Sequence, residues 1–200
     1  MGYATAMIDA VRRHLIFWPV AVLGAAADLF TKSLAFQWLG FDWSSPQIHR
    51  AHVVIDGFFR LETALNTGTF FGQLSGRNSP LIVFTVLMMA MVIIMFLAPP
   101  REMAGRGWGR MYTTALGLVL AGAAGNLWDR VAFDGVRDFL AFKIFGYPWP
   151  TFNLADVWLT VGIGIYLLAA WRSARRDKEA TGAGAEPAGD GSGKAPADGR

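Results

Sequence analysis

The sequence predicts an all-α membrane protein of four transmembrane helices with a small β-sheet at the membrane surface, on three observations. Of its 200 residues, 54% are apolar and only 16% are charged, a balance unlike that of an ordinary soluble domain. Four stretches approach the roughly 20 apolar residues that a helix needs to cross about 30 Å of hydrocarbon. Eight Trp and fifteen Phe suit the aromatic belts found where membrane meets water. The chain has no Cys, which removes disulfides and thiolate chemistry. No run of Arg and Lys interleaves with aromatics, so nucleic acid is not an expected partner.

The first span, 15–39, begins in the uncharged run Leu15–Ala27 and continues past Asp28 and Lys32 through SLAFQWL. Arg12-Arg13, the apolar run and AAA resemble a cleavable signal peptide, but the apolar pattern continues beyond Ala27 and three further spans follow. The second span, 79–98, holds the uncharged LIVFTVLMMAMVIIMFLA. The third, 111–129, is rich in small residues (ALGLVLAGAAG), which suits close helix packing. The fourth, 153–172, runs from FNLAD into VWLTVGIGIYLLAAW. Between the first two spans, HVVIDGFFRLETALNTGTFFGQL alternates bulky and polar residues in places. Turn signals at Asp56-Gly57 and Asn66-Thr67-Gly68 mark short strands lying along the membrane. The tail, 181–200, has almost no apolar bulk to bury and is expected to be disordered. One integral membrane domain over 1–180 is the organisation this implies.

Four spans put both termini on one side. Arg12 and Arg13 precede the first span, Arg101, Arg106 and Arg110 crowd the loop after the second, and Arg172, Arg175, Arg176 and Lys178 follow the fourth. The positive-inside rule makes that side cytoplasmic and leaves 40–78 and 130–152 outside.

With this topology the unusual polar residues fall at one depth. Asp28 and Lys32 lie in the outer half of the first span, Asn126, Asp129 and Arg130 close the third, Asp138 follows, and Asn153 and Asp156 open the fourth. Asn66 lies in the first outer segment. Taken singly, each has a bland reading. Asp28 with Lys32, and Asp129 with Arg130 or another cation, make structural ion pairs; the asparagines join helices; Asp156 is a carboxylate favoured by a helix dipole. Their convergence from all four spans favours function, because charged groups inside membranes are costly. A proton-coupled transporter also uses such carboxylates, but here they gather at one face instead of forming a path across.

Zinc does not fit the three histidines: His14 is on the other side, and His49 and His52 lack a third ligand. There is no GxSxG elbow, and the neighbours Lys32 and Ser33 point to different helix faces. Paired carboxylates remain. Asp138 and Asp156 flank a short return to the membrane, so folding brings them together. Two close carboxylates share one proton, one acting as base on water and the other as acid, which hydrolyses an amide without metal or cofactor.

Four blocks resemble the lipoprotein signal peptidase (signal peptidase II) family, the bacterial aspartyl peptidase of the inner membrane. They are DLFTK at Asp28–Lys32, NTGTFFG at Asn66–Gly72, AGNLWDR with DGVRDF through Phe139, and FNLAD at Phe152–Asp156. Nothing in the sequence requires more than a monomer. The resemblance implies four membrane helices and a small periplasmic sheet. It also implies cleavage of diacylglyceryl-modified prolipoproteins just before the lipidated cysteine, beside membrane lipid. It puts the catalytic aspartates on Asp138 and Asp156. Asp28, Lys32, Asn66, Gly68, Asn126, Asp129, Arg130 and Asn153 match other characteristic positions, for substrate contact or support of the dyad. Three departures stand out. Leu29 replaces a common Gln, Thr69-Phe70 a small pair, and Arg137 an apolar residue before Asp138. Phe70 is expected to narrow a nearby pocket. Arg137 would lower the pKa of Asp138 if it pointed inward, but it is expected to face water.

Overall fold

The computed structural model describes residues 3–47, 49–68, 78–99 and 108–183. Among the described residues, four long helices and four short strands follow one another: α1 Tyr3–Trp38, β1 Ala51–Ile55, β2 Phe59–Asn66, α2 Asn78–Leu97, α3 Trp108–Phe133, β3 Val136–Ile144, β4 Tyr147–Pro148 and α4 Leu154–Ala183. Each expected span falls within a helix to within a residue or two. Two helices overrun the expectation: α1 begins well before Leu15, and α4 continues through the polar sequence after Trp171 to Ala183. Residues 181–183, expected to be disordered, are therefore helical. The rest of the tail, the loop arginines Arg101 and Arg106, and Thr69-Phe70 lie outside the described residues.

Among the described residues, three of the helices are long and apolar enough to cross a membrane, over Met7–Trp38, Ser79–Leu97 and Leu154–Arg176. Their large apolar side chains point outward as well as inward: Leu23 and Phe30 on α1, Phe84 and Leu87 on α2, and Ile163 and Leu167 on α4 are all exposed. Such a surface suits lipid better than water. Trp38 and Trp128 are exposed at one end of the bundle, and Trp171 at the other, as an aromatic belt requires.

Helix α3 is the hub, packed against α1, α2 and α4. Its small residues allow that. A Cβ on Gly122 would overlap the carbonyl of Ala155, and one on Gly125 would overlap the Asp28 carboxylate. One cluster, centred on Phe17, Val92, Phe96, Tyr112 and Leu116, fills the bundle, with Phe17 stacked on Phe96 at 3.9 Å. A smaller cluster of Ala35, Phe36 and Phe139 joins the end of α1 to the sheet.

The sheet is antiparallel throughout, in the order β1-β2-β3-β4. The β1–β2 hairpin is the one that Asp56-Gly57 signals, and Gly57 takes the left-handed conformation the turn needs (φ 69°). Strand β3, in the segment between α3 and α4, adds to what the sequence foresaw. It pairs with β2 so that Ala64 faces Asp138 and Asn66 faces Val136. Its other edge meets the chain entering α4: the Phe139 and Leu140 N–H groups both donate to the Phe152 carbonyl, at 3.0 and 2.8 Å. That bridge brings Asp138 to the mouth of α4.

Candidate active site

Helix α4 starts with a reciprocal cap. Asn153 stands just before it, and its Oδ1 accepts the Asp156 N–H at 3.1 Å while Asp156 Oδ2 accepts the Asn153 N–H at 3.2 Å. This satisfies two donors that a helix start otherwise leaves open and fixes the Asp156 rotamer. The remaining half of the Asn153 amide points away from the helix. Its Nδ2 donates to Asp138 Oδ1 at 2.6 Å and to Asn126 Oδ1 at 3.2 Å. One fully buried asparagine thus holds both aspartates.

Each carboxylate has a second asparagine. Asn66 Nδ2 donates to Asp138 Oδ2 at 3.1 Å, and the Asn66 side chain is itself oriented by accepting the Gly68 N–H at 3.1 Å. Asn126 Nδ2 donates to Asp156 Oδ1 at 2.9 Å. Asp138 is buried (3% exposed), whereas Asp156 is only partly covered. Burial, and after it the charge of Asp156, push Asp138 up to about 7, against the bonds from Asn153 and Asn66 and the charge of Lys32. Asp138 is therefore protonated where ordinary carboxylates are ionised, with a second carboxylate close enough to repel its charge.

Beneath the pair lies a set of fully buried ions. Lys32 Nζ sits 2.8 Å from Asp28 Oδ2, 3.3 Å from Asp129 Oδ2 and 2.9 Å from Asn126 Oδ1. Asp28 Oδ1 accepts the Ala155 N–H at 2.8 Å, so a carboxylate on α1 caps the first turn of α4. Lys32 thereby orients Asn126, and Asp28 holds the helix that carries Asp156.

All ten residues singled out from the sequence gather at this one end of the bundle. Nine of them join through side-chain or cap hydrogen bonds and ion pairs. Arg130 is attached differently: its Nη1 donates to the Asn126 carbonyl of its own helix at 3.3 Å, and it interacts electrostatically with Asp156, Asp138 and Asp129. Asp129 pairs with Lys32 and Arg137. The expectation that Arg137 faces water is wrong. It is 5% exposed, and its Nε and Nη2 donate to Asp129 Oδ1 at 3.1 and 2.8 Å. A guanidinium tolerates such burial because a carboxylate fits its planar fork. Ser33, which accepts from Arg137 Nη1 at 3.1 Å, was also missed.

The pattern of the family described as "Signal peptidase (SPase) II" matches residues 20–172. A lipoprotein signal peptidase of Syntrophotalea carbinolica is 37% identical over 163 residues, covering 78% of this chain and 91% of that protein. One from Francisella tularensis subsp. novicida is 35% identical, covering 82% and 96%. Among solved structures, a bacterial membrane enzyme determined by the in meso method at 2.3 Å resolution superposes with a TM-score of 0.65 at 28% identity, covering 78% of this chain and 87% of that one.

Proposed function

The chain belongs to the signal peptidase II family, a membrane-enzyme family of aspartic peptidases, and from that premise we propose that it hydrolyses prolipoproteins with Asp138 and Asp156 as its catalytic pair. The activity class is the removal of signal peptides from prolipoproteins. The observation that carries the residue assignment is the Asn153 side chain, which bonds Asp138 with its amide and caps Asp156 with its oxygen.

The two aspartates take different roles because their surroundings differ. Asp138, buried and held up to about 7, keeps the shared proton. Asp156, nearer the surface, accepts a proton from the attacking water. Water oxygen adds to the scissile carbonyl carbon as Asp138 protonates the carbonyl oxygen, giving a neutral tetrahedral diol. Collapse returns a hydroxyl proton to Asp138, the proton on Asp156 passes to the leaving amine, and the C–N bond breaks. The carboxylates end in their starting state, with one water consumed. Asn66, Asn126 and Asn153 hold the oxygens in place throughout, so no reorganisation is needed at the moment of reaction.

The scissile bond in this reading lies just before a diacylglyceryl-modified cysteine whose acyl chains stay in the bilayer. A site at the end of lipid-facing helices meets it there. An open groove of about 810 Å³ between the β1–β2 and β3–β4 hairpins, lined by Phe58, Phe59, Phe142 and Trp149, offers the peptide a path along the membrane. We take α3 as the fourth span, because at 26 residues it is longer than α2, at 20, and it packs among the other three helices. The basic residues flanking the far ends of the helices support cytoplasmic termini and a periplasmic site in the inner membrane. One membrane domain over 1–180, working as a monomer without cofactor, completes the reading.

The test is incubation of the purified protein with a diacylglyceryl-modified prolipoprotein and with its unlipidated control. Cleavage of the lipidated form alone is expected. Equal cleavage of both would remove the lipid from the specificity, and cleavage of neither would overturn the assignment.

A further inference from the structure

On the dyad reading above, we propose that Arg137 is a positioning residue for Asp138: it staples strand β3 to the buried end of α3 and so fixes where the neighbouring aspartate stands. The chain leaves α3 at Phe133, turns through Asp134 in the left-handed conformation (φ 55°) and enters β3 at Val136. Arg137 reaches back across that turn. Its backbone N–H donates to Asp129 Oδ2 at 2.9 Å, and its Nε and Nη2 close a fork on Asp129 Oδ1. The guanidinium also donates to Ser33 on α1 and lies 4.4 Å from the centre of the Phe133 ring. Helix α1, helix α3 and strand β3 are thus tied at one point.

Successive residues of a strand point to opposite faces. Arg137 therefore grips the α1–α3 side while Asp138 presents its carboxylate to Asn66 and Asn153. The Phe152 bridge holds β3 on the far side of Asp138, through Phe139 and Leu140. Asp138 sits between these two fastenings, so slack at Arg137 passes directly to the reacting group.

The clamp also balances charge. Around Asp138, α1 contributes Asp28 and Lys32, α3 contributes Asp129 and Arg130, α4 contributes Asp156, and β2 contributes the uncharged Asn66. Within the buried set, Lys32 and Arg137 offset Asp28 and Asp129. Without Arg137 one anion is left over close to Asp138, and an extra anion favours the protonated carboxyl.

The experiment measures kcat and KM against pH on the lipidated precursor for the wild type and for Arg137→Leu, Arg137→Lys and Ser33→Ala. Arg137→Leu is expected to lower kcat about tenfold with KM within about twofold, the pattern of an interaction that serves only the transition state. Its alkaline limb moves to higher pH. Arg137→Lys keeps the charge and so the wild-type limb, but loses the fork and so keeps the low kcat. Ser33→Ala removes one of the guanidinium's partners and lowers kcat by about two- to threefold, again with KM unchanged. Wild-type kcat and limb in Arg137→Leu, or a drop in melting temperature alone, would overturn the proposal. Should Arg137→Leu fail to insert, an unchanged kcat in Ser33→Ala would overturn it instead. A wild type that cleaves nothing would sink the peptidase reading and this inference with it.

Discussion

Replacing Asn153 by Ala removes one side chain that serves both aspartates. The loss has two parts. The cap on Asp156 goes, which costs about 1 kcal/mol of stability. The 2.6 Å bond to Asp138 goes as well; Asp138 becomes anionic as it gives its proton to the substrate, and a hydrogen bond to a charged group contributes roughly 1.5–3 kcal/mol. If that bond orients Asp138 for proton transfer, the same energy appears in the barrier, at about 1.4 kcal/mol for each factor of ten. A fall in kcat of roughly 10- to 100-fold is therefore expected. The bond also favours the ionised form of Asp138, so its loss moves that group up from about 7. The sign follows: the dyad needs Asp138 protonated, so activity is lost as pH rises through its pKa. In Asn153→Ala that alkaline limb lies above the wild-type one. The assay is cleavage of a diacylglyceryl-modified precursor in detergent between about pH 5 and 9, read as kcat against pH. A kcat within twofold of wild type, or a limb displaced to lower pH, would refute the reasoning.

Stability should show the same group from the other side. Because the folded-state pKa of Asp138 is raised, its stabilising contribution is present below the ordinary carboxylate value near 3.8 and is lost as pH rises through about 7. Asp138→Asn is therefore expected to melt higher relative to wild type at pH 8 than at pH 5, in parallel detergent melts; equal differences at both would contradict the burial argument. Lys32→Met leaves Asp28 and Asp129 buried and facing one another without their shared cation, and should destabilise by about 3–5 kcal/mol. Denaturation in mixed micelles checks this, and a change below about 1 kcal/mol would show that water or another cation reaches the site.

The site was more legible in the sequence than the scaffold that holds it. Charges and amides stand out within apolar runs, and a topology with one loop between spans sorts them to one depth. That exposed Asp28, Lys32, Asn126, Asp129, Asn153 and Asp156 as a group. Strand β3 was less visible: VRDFLAFKI lacks clean alternation, although Asp134-Gly135 before it and Phe145-Gly146 after it are the kind of turn signals that bound strands. Missing that strand hid the direction of Arg137, since the alternation of a strand places it opposite Asp138 and within reach of Asp129. Arg137 then looked like a surface charge when it is a buried fork. The bond from the Ala155 N–H to Asp28 left no trace at all, because a backbone donor looks the same whatever residue carries it. Close packing at α3 was foreseen from its small residues, and Gly122 and Gly125 are where helix and carboxylate approach nearest.

The most direct measurement is cleavage of a diacylglyceryl-modified prolipoprotein by Asp138→Asn and by Asp156→Asn, each compared with wild type at matched amounts of inserted, folded protein. Each substitution keeps the shape of the side chain and removes the carboxylate. Loss of cleavage in both, with a melting temperature at or above that of wild type for Asp138→Asn and near it for Asp156→Asn, is the expected result. Substantial cleavage by either variant would remove that aspartate from the catalytic pair.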